Sequence, residues 1–184
     1  MGRIKSAWEI ALEKTQDIKV DPEKLKRDEL LTLSRKLAGS FLIDYSMTEE
    51  AFLKALDDME NKALASRTIL ETVVANLSLP SNEYYTDRLQ RLGQMMNLAS
   101  PQNEEAQEAF SQLEGLFAQY IAAKADLLKR LKDQYQQMAK QKGTYPDNDP
   151  EFVKLCDTYI DKLQSQFSEA LEQMKSALSQ ALGL

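Results

Sequence analysis

The sequence predicts an all-α fold, an elongated antiparallel helical bundle with long coiled-coil-like helices. Only 6 Gly and 5 Pro occur in 184 residues, so few tight turns are available to a sandwich or a barrel. Apolar residues recur at helical spacing through most of the chain, and no segment has the pattern of a convincing strand. Three predicted helices of about 30, 42 and 33 residues exceed the usual length of ~11 to 12.

The first predicted helix is a short N-terminal arm at residues 1–15, with its helical part starting at Gly2. One face of this helix is apolar and carries Ile4, Ala7, Trp8, Ala11 and Leu12. Its charges are mixed: Arg3, Lys5 and Lys14 are basic, and Glu9 and Glu13 are acidic. Because a tryptophan buries a large apolar area, we expect Trp8 to dock the arm onto the main body.

The second and third helices have clear start signals. Asp21 is a good N-cap, and Pro22 follows at the first helical position, where its missing N–H does no harm. Gly39 lies inside the second helix, where it either weakens the helix or allows a close helix approach. The third helix is expected to begin near Thr48 and to continue unbroken until shortly before Pro80.

The second half of the chain is predicted as three more helices. The fourth covers about residues 81–98, and Ser100-Pro101 after it is either a break or a kink. The fifth is expected to begin with Ser100 as N-cap and to run to Lys142. A loop follows at 143–148, and the last helix starts at Asp149-Pro150. The pattern predicts a single domain, 1–184, with a possible sub-division near residue 100.

The composition excludes several kinds of site. The chain has no His and 1 Cys, which rules out Ser-His-Asp and Cys-His catalysis, Cys/His zinc sites and an intramolecular disulfide. A net charge of -6 argues against non-specific nucleic-acid binding. No apolar run is long enough to span a membrane. We therefore expect a cytoplasmic protein with no catalytic residue, cofactor or metal.

Candidate interaction residues come from departures within the helical patterns. Arg67 and Lys124 stand at positions where the apolar stripes expect apolar residues, so each either fixes helix register or extends its charge to solvent. The second half of the fifth helix is basic and offers a surface for an acidic partner, or simply a solvated face. The candidate set is Trp8, Arg67, Lys124, Lys129, Arg130 and Lys132. Cys156 lies in an apolar stripe and is expected to be a buried structural thiol.

The opening GRIKSAWEIALEKT, residues 2–15, resembles the start of an uncharacterised bacterial family of all-helical proteins. This resemblance covers less than a tenth of the chain. It implies a bacterial cytoplasmic protein, and it implies no activity and no site residues.

Long helices expose much apolar surface, so the leading hypothesis is a non-enzymatic interaction protein: a homo-oligomer, an adaptor or a chaperone-like binder with a helical protein partner. The first alternative is a small-molecule or lipid-binding bundle. Its expected lining residues are Met59, Met95, Met96, Phe110 and Phe117. The second alternative is an enzyme that uses no histidine chemistry.

Overall fold

The computed structural model describes residues 21–81, 85–139 and 149–184. In these ranges the chain forms six α-helices and no strand, which confirms the all-α class. The helices are α1 (Pro22–Ile43), α2 (Glu49–Asp57), α3 (Lys62–Asn76), α4 (Tyr85–Ala99), α5 (Glu104–Ala139) and α6 (Pro150–Ala181). The predicted arm at 1–15, the loop at 143–148 and the end of the fifth predicted helix lie outside the described residues.

The start signals at three helices are confirmed. The side chain of Asp21 accepts a hydrogen bond from the Glu23 amide at 3.0 Å, and Pro22 is the first residue of α1. Asp149 and Pro150 begin α6 in the same way. Thr48 caps α2 by accepting from the Ala51 amide at 3.2 Å. These caps are local, because a side-chain oxygen satisfies an amide two or three residues ahead of it.

The prediction of one unbroken third helix is wrong. The chain leaves the helix after Asp57 and starts a new one at Lys62. Asn61 caps the new helix by accepting from the Leu64 amide at 3.0 Å. Asp and Asn compete with helical backbone hydrogen bonds and favour caps, so the run from Asp57 to Asn61 forms a turn although the apolar spacing continues through it.

The start predicted for the fifth helix is also wrong, and the open question at Ser100-Pro101 is answered as a break. The Ser100 amide closes α4 on the Met96 carbonyl, and Gln102 then adopts a left-handed conformation with φ of 64°. Asn103, not Ser100, caps α5, because its side-chain oxygen accepts from the Ala106 amide at 3.0 Å. The left-handed residue redirects the chain, so α5 starts three residues later than predicted.

Helices α5 and α6 form a long antiparallel pair. They contain 36 and 32 residues, or about 54 and 48 Å at the standard helical rise. At one end the side-chain Nδ2 of Asn103 donates to the Ala181 carbonyl at 2.9 Å, and at the other end the Tyr135 hydroxyl donates to Asp149. The rings of Tyr120 and Phe167 pack edge-to-face midway, 5.3 Å apart.

The hydrophobic core has a large and a small part. The main cluster contains residues from all six helices, before and after residue 100, with Phe41, Phe52, Ile69, Leu92, Leu113 and Leu178 among its members. The small cluster consists of Leu131, Phe152 and Cys156, with four half-buried neighbours, all on α5 or α6. Cys156 is therefore buried, as predicted.

Two helices approach each other closely at a glycine, but this glycine is Gly93 and not Gly39, the one considered from the sequence. A Cβ added at Gly39 would meet no atom within 4 Å, so the close-approach reading of Gly39 is wrong. A Cβ at Gly93 would lie 2.9 Å from the Phe110 ring. It is therefore at Gly93 that the missing side chain lets α4 lie close to α5.

Candidate functional site

An apolar groove of about 720 Å³ lies between α1 and the segment formed by α2 and the turn before α3. We call it the α1–α2 groove. Its floor is apolar and consists of Leu30, Leu33, Leu37, Met47, Ala55 and Met59. Leu33 is 55 % exposed, although it lies between two leucines that are largely covered. Large apolar side chains at the floor of an open groove are typical of a surface that binds a helix or an apolar ligand.

The turn that breaks the third predicted helix shapes this groove. It places Met59 beside α1, where the Met59 sulfur lies 3.5 Å from the Ser34 hydroxyl oxygen. Ser34 is fully buried, and its hydroxyl donates to the Leu30 carbonyl at 2.7 Å, so its polar group is satisfied within α1. A small side chain at position 34 thus leaves room for the long, adaptable Met59 side chain at the groove wall.

The rim of the groove carries both signs of charge. Lys26, Glu29 and Lys36 project from α1, while Asp58 and Glu60 come from the turn on the opposite side. One wall therefore has a basic excess and the other is acidic. A ligand helix with oppositely charged flanks complements such walls.

A second depression, of about 370 Å³, lies among the ends of α1 and α3 and the start of α4. We call it the Tyr85 pocket. It is lined by Gly39, Leu42, Ile43, Tyr45, Thr72, Asn76, Ser78, Ser81, Tyr85 and Arg88, and it shares no lining residue with the α1–α2 groove. Burial raises the pKa of the Tyr85 hydroxyl well above its usual range, and the Arg88 charge opposes that shift.

Residues 50–180, well over half of the chain, match a protein family described as a family of unknown function (DUF6657). The chain belongs to this family. No curated protein and no solved structure matches the chain. Membership agrees with the expectation of an uncharacterised family, while the matched segment does not include residues 2–15, on which the resemblance was based.

The DUF6657 segment contains only part of the α1–α2 groove. Helix α1 and Met47 precede the segment, whereas Ala55, Asp58, Met59 and Glu60 lie within it. The polar residues of the Tyr85 pocket, from Thr72 to Arg88, all lie within the segment.

The structure does not gather the residues singled out from the sequence into one site. Arg67 is exposed on α3 and pairs with Glu71 one turn along, at 3.2 Å. The other described candidates lie on α5, a helix that does not pack against α3. Trp8 lies outside the described residues.

The α5 candidates line different sides of that helix. Lys124 is half-buried, and no ion pair involves it in the described part of the chain. Lys129 and Arg130 are exposed, and Arg130 pairs with Asp126 at 2.8 Å. Lys132 is half-buried. Their grouping as a partner surface stays a prediction.

The residues expected to line a ligand cavity also lie in different parts of the structure. Met59 lies in the α1–α2 groove, while the other four pack in the main core cluster: Met95, Met96, Phe110 and Phe117. Met96 and Phe110 also border a shallow surface depression beside Gly93. The sequence pattern identified these residues as apolar but missed Tyr85 and Arg88, because a helical periodicity contains no signal for a pocket at helix ends.

The described ranges contain neither a candidate metal site nor a candidate membrane-spanning helix. There, no group of three or more His, Cys, Asp or Glu residues is placed to hold a metal ion. None of the helices at 21–81, 85–139 and 149–184 has the length and apolar character needed to cross a membrane.

Proposed function

We propose that this protein is a non-enzymatic interaction protein that forms a homo-oligomer, in which the N-terminal segment of one copy binds in the α1–α2 groove of a second copy. The observation that carries the proposal is the apolar floor of this groove, where Leu33 stays 55 % exposed in the single chain. Burying one such leucine is worth about 1.5–3 kcal/mol, so the groove gains stability from an occupant.

The N-terminal segment has the pattern of a helix that complements the groove. As a helix, residues 2–15 present one apolar face that includes Trp8. Arg3 and Lys14 then fall on one flank of that face, Lys5 and Glu9 fall on the other, and Glu13 lies opposite the apolar face. The basic flank of Arg3 and Lys14 can pair with the acidic wall of the groove, formed by Asp58 and Glu60.

We assign the segment to a second copy, in line with the homo-oligomer that the sequence analysis predicts, and occupation of the groove by the segment of the same copy is an outcome of the test. Tryptophan is enriched among the residues that dominate binding energy at interfaces, so Trp8 is the expected anchor of the contact. The α1 wall of the groove lies outside the DUF6657 segment, and the opposite wall lies within it. The proposed interface therefore uses residues from both parts of the chain.

The experiment uses Trp8, which is the one tryptophan of the chain, as its probe. We expect wild-type protein to be a dimer or larger by light scattering after gel filtration, with Trp8 fluorescence shifted to shorter wavelength. Leu33→Glu places a charge on the groove floor and should give a monomer with red-shifted Trp8 emission. Leu25→Glu is the matched control, since Leu25 is 51 % exposed on the same helix but does not line the groove.

Three results would overturn the proposal. One is a wild-type monomer with solvent-exposed Trp8 at all concentrations. Another is a monomer whose Trp8 is buried and becomes exposed in Leu33→Glu, because the segment would then occupy the groove of its own copy. The third is an oligomer that Leu33→Glu and Leu25→Glu disturb equally.

A further inference from the structure

The Tyr85 pocket contains a buried hydroxyl with no hydrogen-bond partner. Tyr85 is 6 % exposed, and its Oη atom has no partner in the structure. Buried polar atoms are almost always hydrogen-bonded, and leaving one unsatisfied is costly. The ring itself is fixed, because it packs edge-to-face on Phe117 with 5.2 Å between centroids. The side chain therefore holds an unpartnered polar group at a set position, and Tyr85 is one of the residues that line the pocket.

The Tyr85 hydroxyl is protonated and can donate a hydrogen bond. Burial raises its pKa, so the phenol keeps its proton at neutral pH and offers an O–H group. The Arg88 charge lowers the same pKa to a smaller extent. Both side chains line the pocket. The missing group is thus an acceptor, and a negatively charged acceptor is favoured by the neighbouring cation.

Arg88 is held in place and keeps free donors. Its Nη2 atom donates to the Asn76 side-chain oxygen at 2.7 Å, and the Asn76 amide nitrogen donates to the Thr72 carbonyl at 2.8 Å. This chain of bonds orients the guanidinium from α3. A guanidinium has five N–H groups, so several stay available for a ligand.

One wall of the pocket is apolar and open. Ile43 is 81 % exposed and Tyr45 is 61 % exposed, and Leu42 lies beside them. The volume of about 370 Å³ falls within the range of about 300–1,000 Å³ that is usual for small-molecule sites. A ligand that fits has a small apolar body and one anionic end.

We propose that the Tyr85 pocket binds a small organic carboxylate. One carboxylate oxygen accepts a hydrogen bond from the Tyr85 hydroxyl, and the carboxylate pairs with the Arg88 guanidinium. The apolar body of the ligand packs on Ile43 and Tyr45. A monoanion suits the site better than inorganic phosphate, since Arg88 is the single cation among the described lining residues and the neutral hydroxyls of Ser78, Ser81 and Tyr85 face an apolar wall. This site uses none of the residues of the proposed homo-oligomer contact.

The test measures binding of benzoate and hexanoate to the full chain by isothermal titration calorimetry, with benzyl alcohol and inorganic phosphate as comparison probes. We expect saturable binding of at least one carboxylate, at least tenfold tighter than either comparison probe. Tyr85→Phe and Arg88→Gln should each weaken that binding at least tenfold. Tyr120→Phe and Arg67→Gln are the matched controls, because Tyr120 is equally buried and Arg67 is exposed, both away from the pocket.

Thermal unfolding separates lost binding from lost folding. Tyr85→Phe removes a hydroxyl that has no partner, so its Tm should equal or exceed that of the wild type. The proposal is overturned when neither carboxylate binds up to millimolar concentration, when benzyl alcohol or phosphate binds as tightly as the carboxylates, or when Tyr85→Phe and Arg88→Gln bind as well as their controls.

Discussion

At the residue scale, Arg91 joins α4 to the carboxyl end of α1. Its Nε donates to the Phe41 carbonyl at 2.9 Å, and its Nη2 donates to the Asp44 carbonyl at 2.6 Å. The same guanidinium lies 4.1 Å from the centre of the Phe41 ring and 5.3 Å from that of Tyr45. The last carbonyls of a helix lack partners within it, and a planar guanidinium can satisfy them while stacking on a ring.

We expect Arg91→Ala to lower the free energy of unfolding by about 2–4 kcal/mol, because it removes charged hydrogen bonds and a cation–π contact together. Urea unfolding at pH 7 measures this. Arg91→Lys keeps the charge but not the planar fork, so it should recover less than half of the loss. Arg67→Ala, at an exposed i,i+4 pair, should cost less than about 0.5 kcal/mol. An Arg91→Ala protein as stable as Arg67→Ala would contradict the role of Arg91.

Helical periodicity offers no reason to select Arg91 or Tyr85. The carbonyls that Arg91 reaches lie 50 and 47 residues away in the chain, and the pocket around Tyr85 collects residues from three helices. Helical periodicity describes which face of one helix is apolar. It contains no information about which distant groups meet at the helix ends.

At the element scale, a polar contact joins α5 to the start of α6 beside the small cluster. The Tyr135 hydroxyl donates to Asp149, the cap of α6, and the Tyr135 ring packs on Phe152 at 4.9 Å. The hydrogen bond to Asp149 raises the pKa of Tyr135 to about 12, with smaller contributions from burial and from the charges of Asp149 and Glu151.

This shift has a definite sign for stability. The folded state holds the phenol proton more tightly than the unfolded state, so the stabilisation is complete below the ordinary pKa of 10.0 and is lost as the pH rises through about 12. The difference in tyrosinate absorbance between wild type and Tyr135→Phe should therefore have its midpoint near pH 12. Asp149→Asn keeps a good helix cap but removes the charge, so it should lower that midpoint. A wild-type midpoint near 10 would show that the contact does not form.

Three helix starts were predictable at this scale, whereas the break before Lys62 and the start of α5 were not. The caps at Asp21, Thr48 and Asp149 follow from neighbouring residues, which is why they were predicted correctly. The break before Lys62 lies within a continuous apolar pattern. Asp57 and Asn61 favour a turn there, and the packing of the shorter α3 on α1 and α4 stabilises the broken helix over the unbroken one. The α1–α2 groove depends on that break.

At the scale of the whole molecule, the homo-oligomer proposal predicts that thermal stability depends on protein concentration. Association stabilises the folded state by mass action, so the Tm of the wild type should rise over a hundredfold range of concentration. Leu33→Glu should show a Tm independent of concentration, and Leu25→Glu should behave as the wild type. A wild-type Tm that stays constant over this range would argue against a homo-oligomer.

The sequence by itself determined the helical class, the residues at which three helices begin and the burial of Cys156. Each depends on periodicity or on a cap, and these are properties of residues close together in the chain. The tertiary structure decided where the third predicted helix breaks and where the α1–α2 groove and the Tyr85 pocket lie. It also decided that Arg91 binds the carbonyls at the end of α1. These features depend on residues from different helices, and such contacts form only when the helices pack.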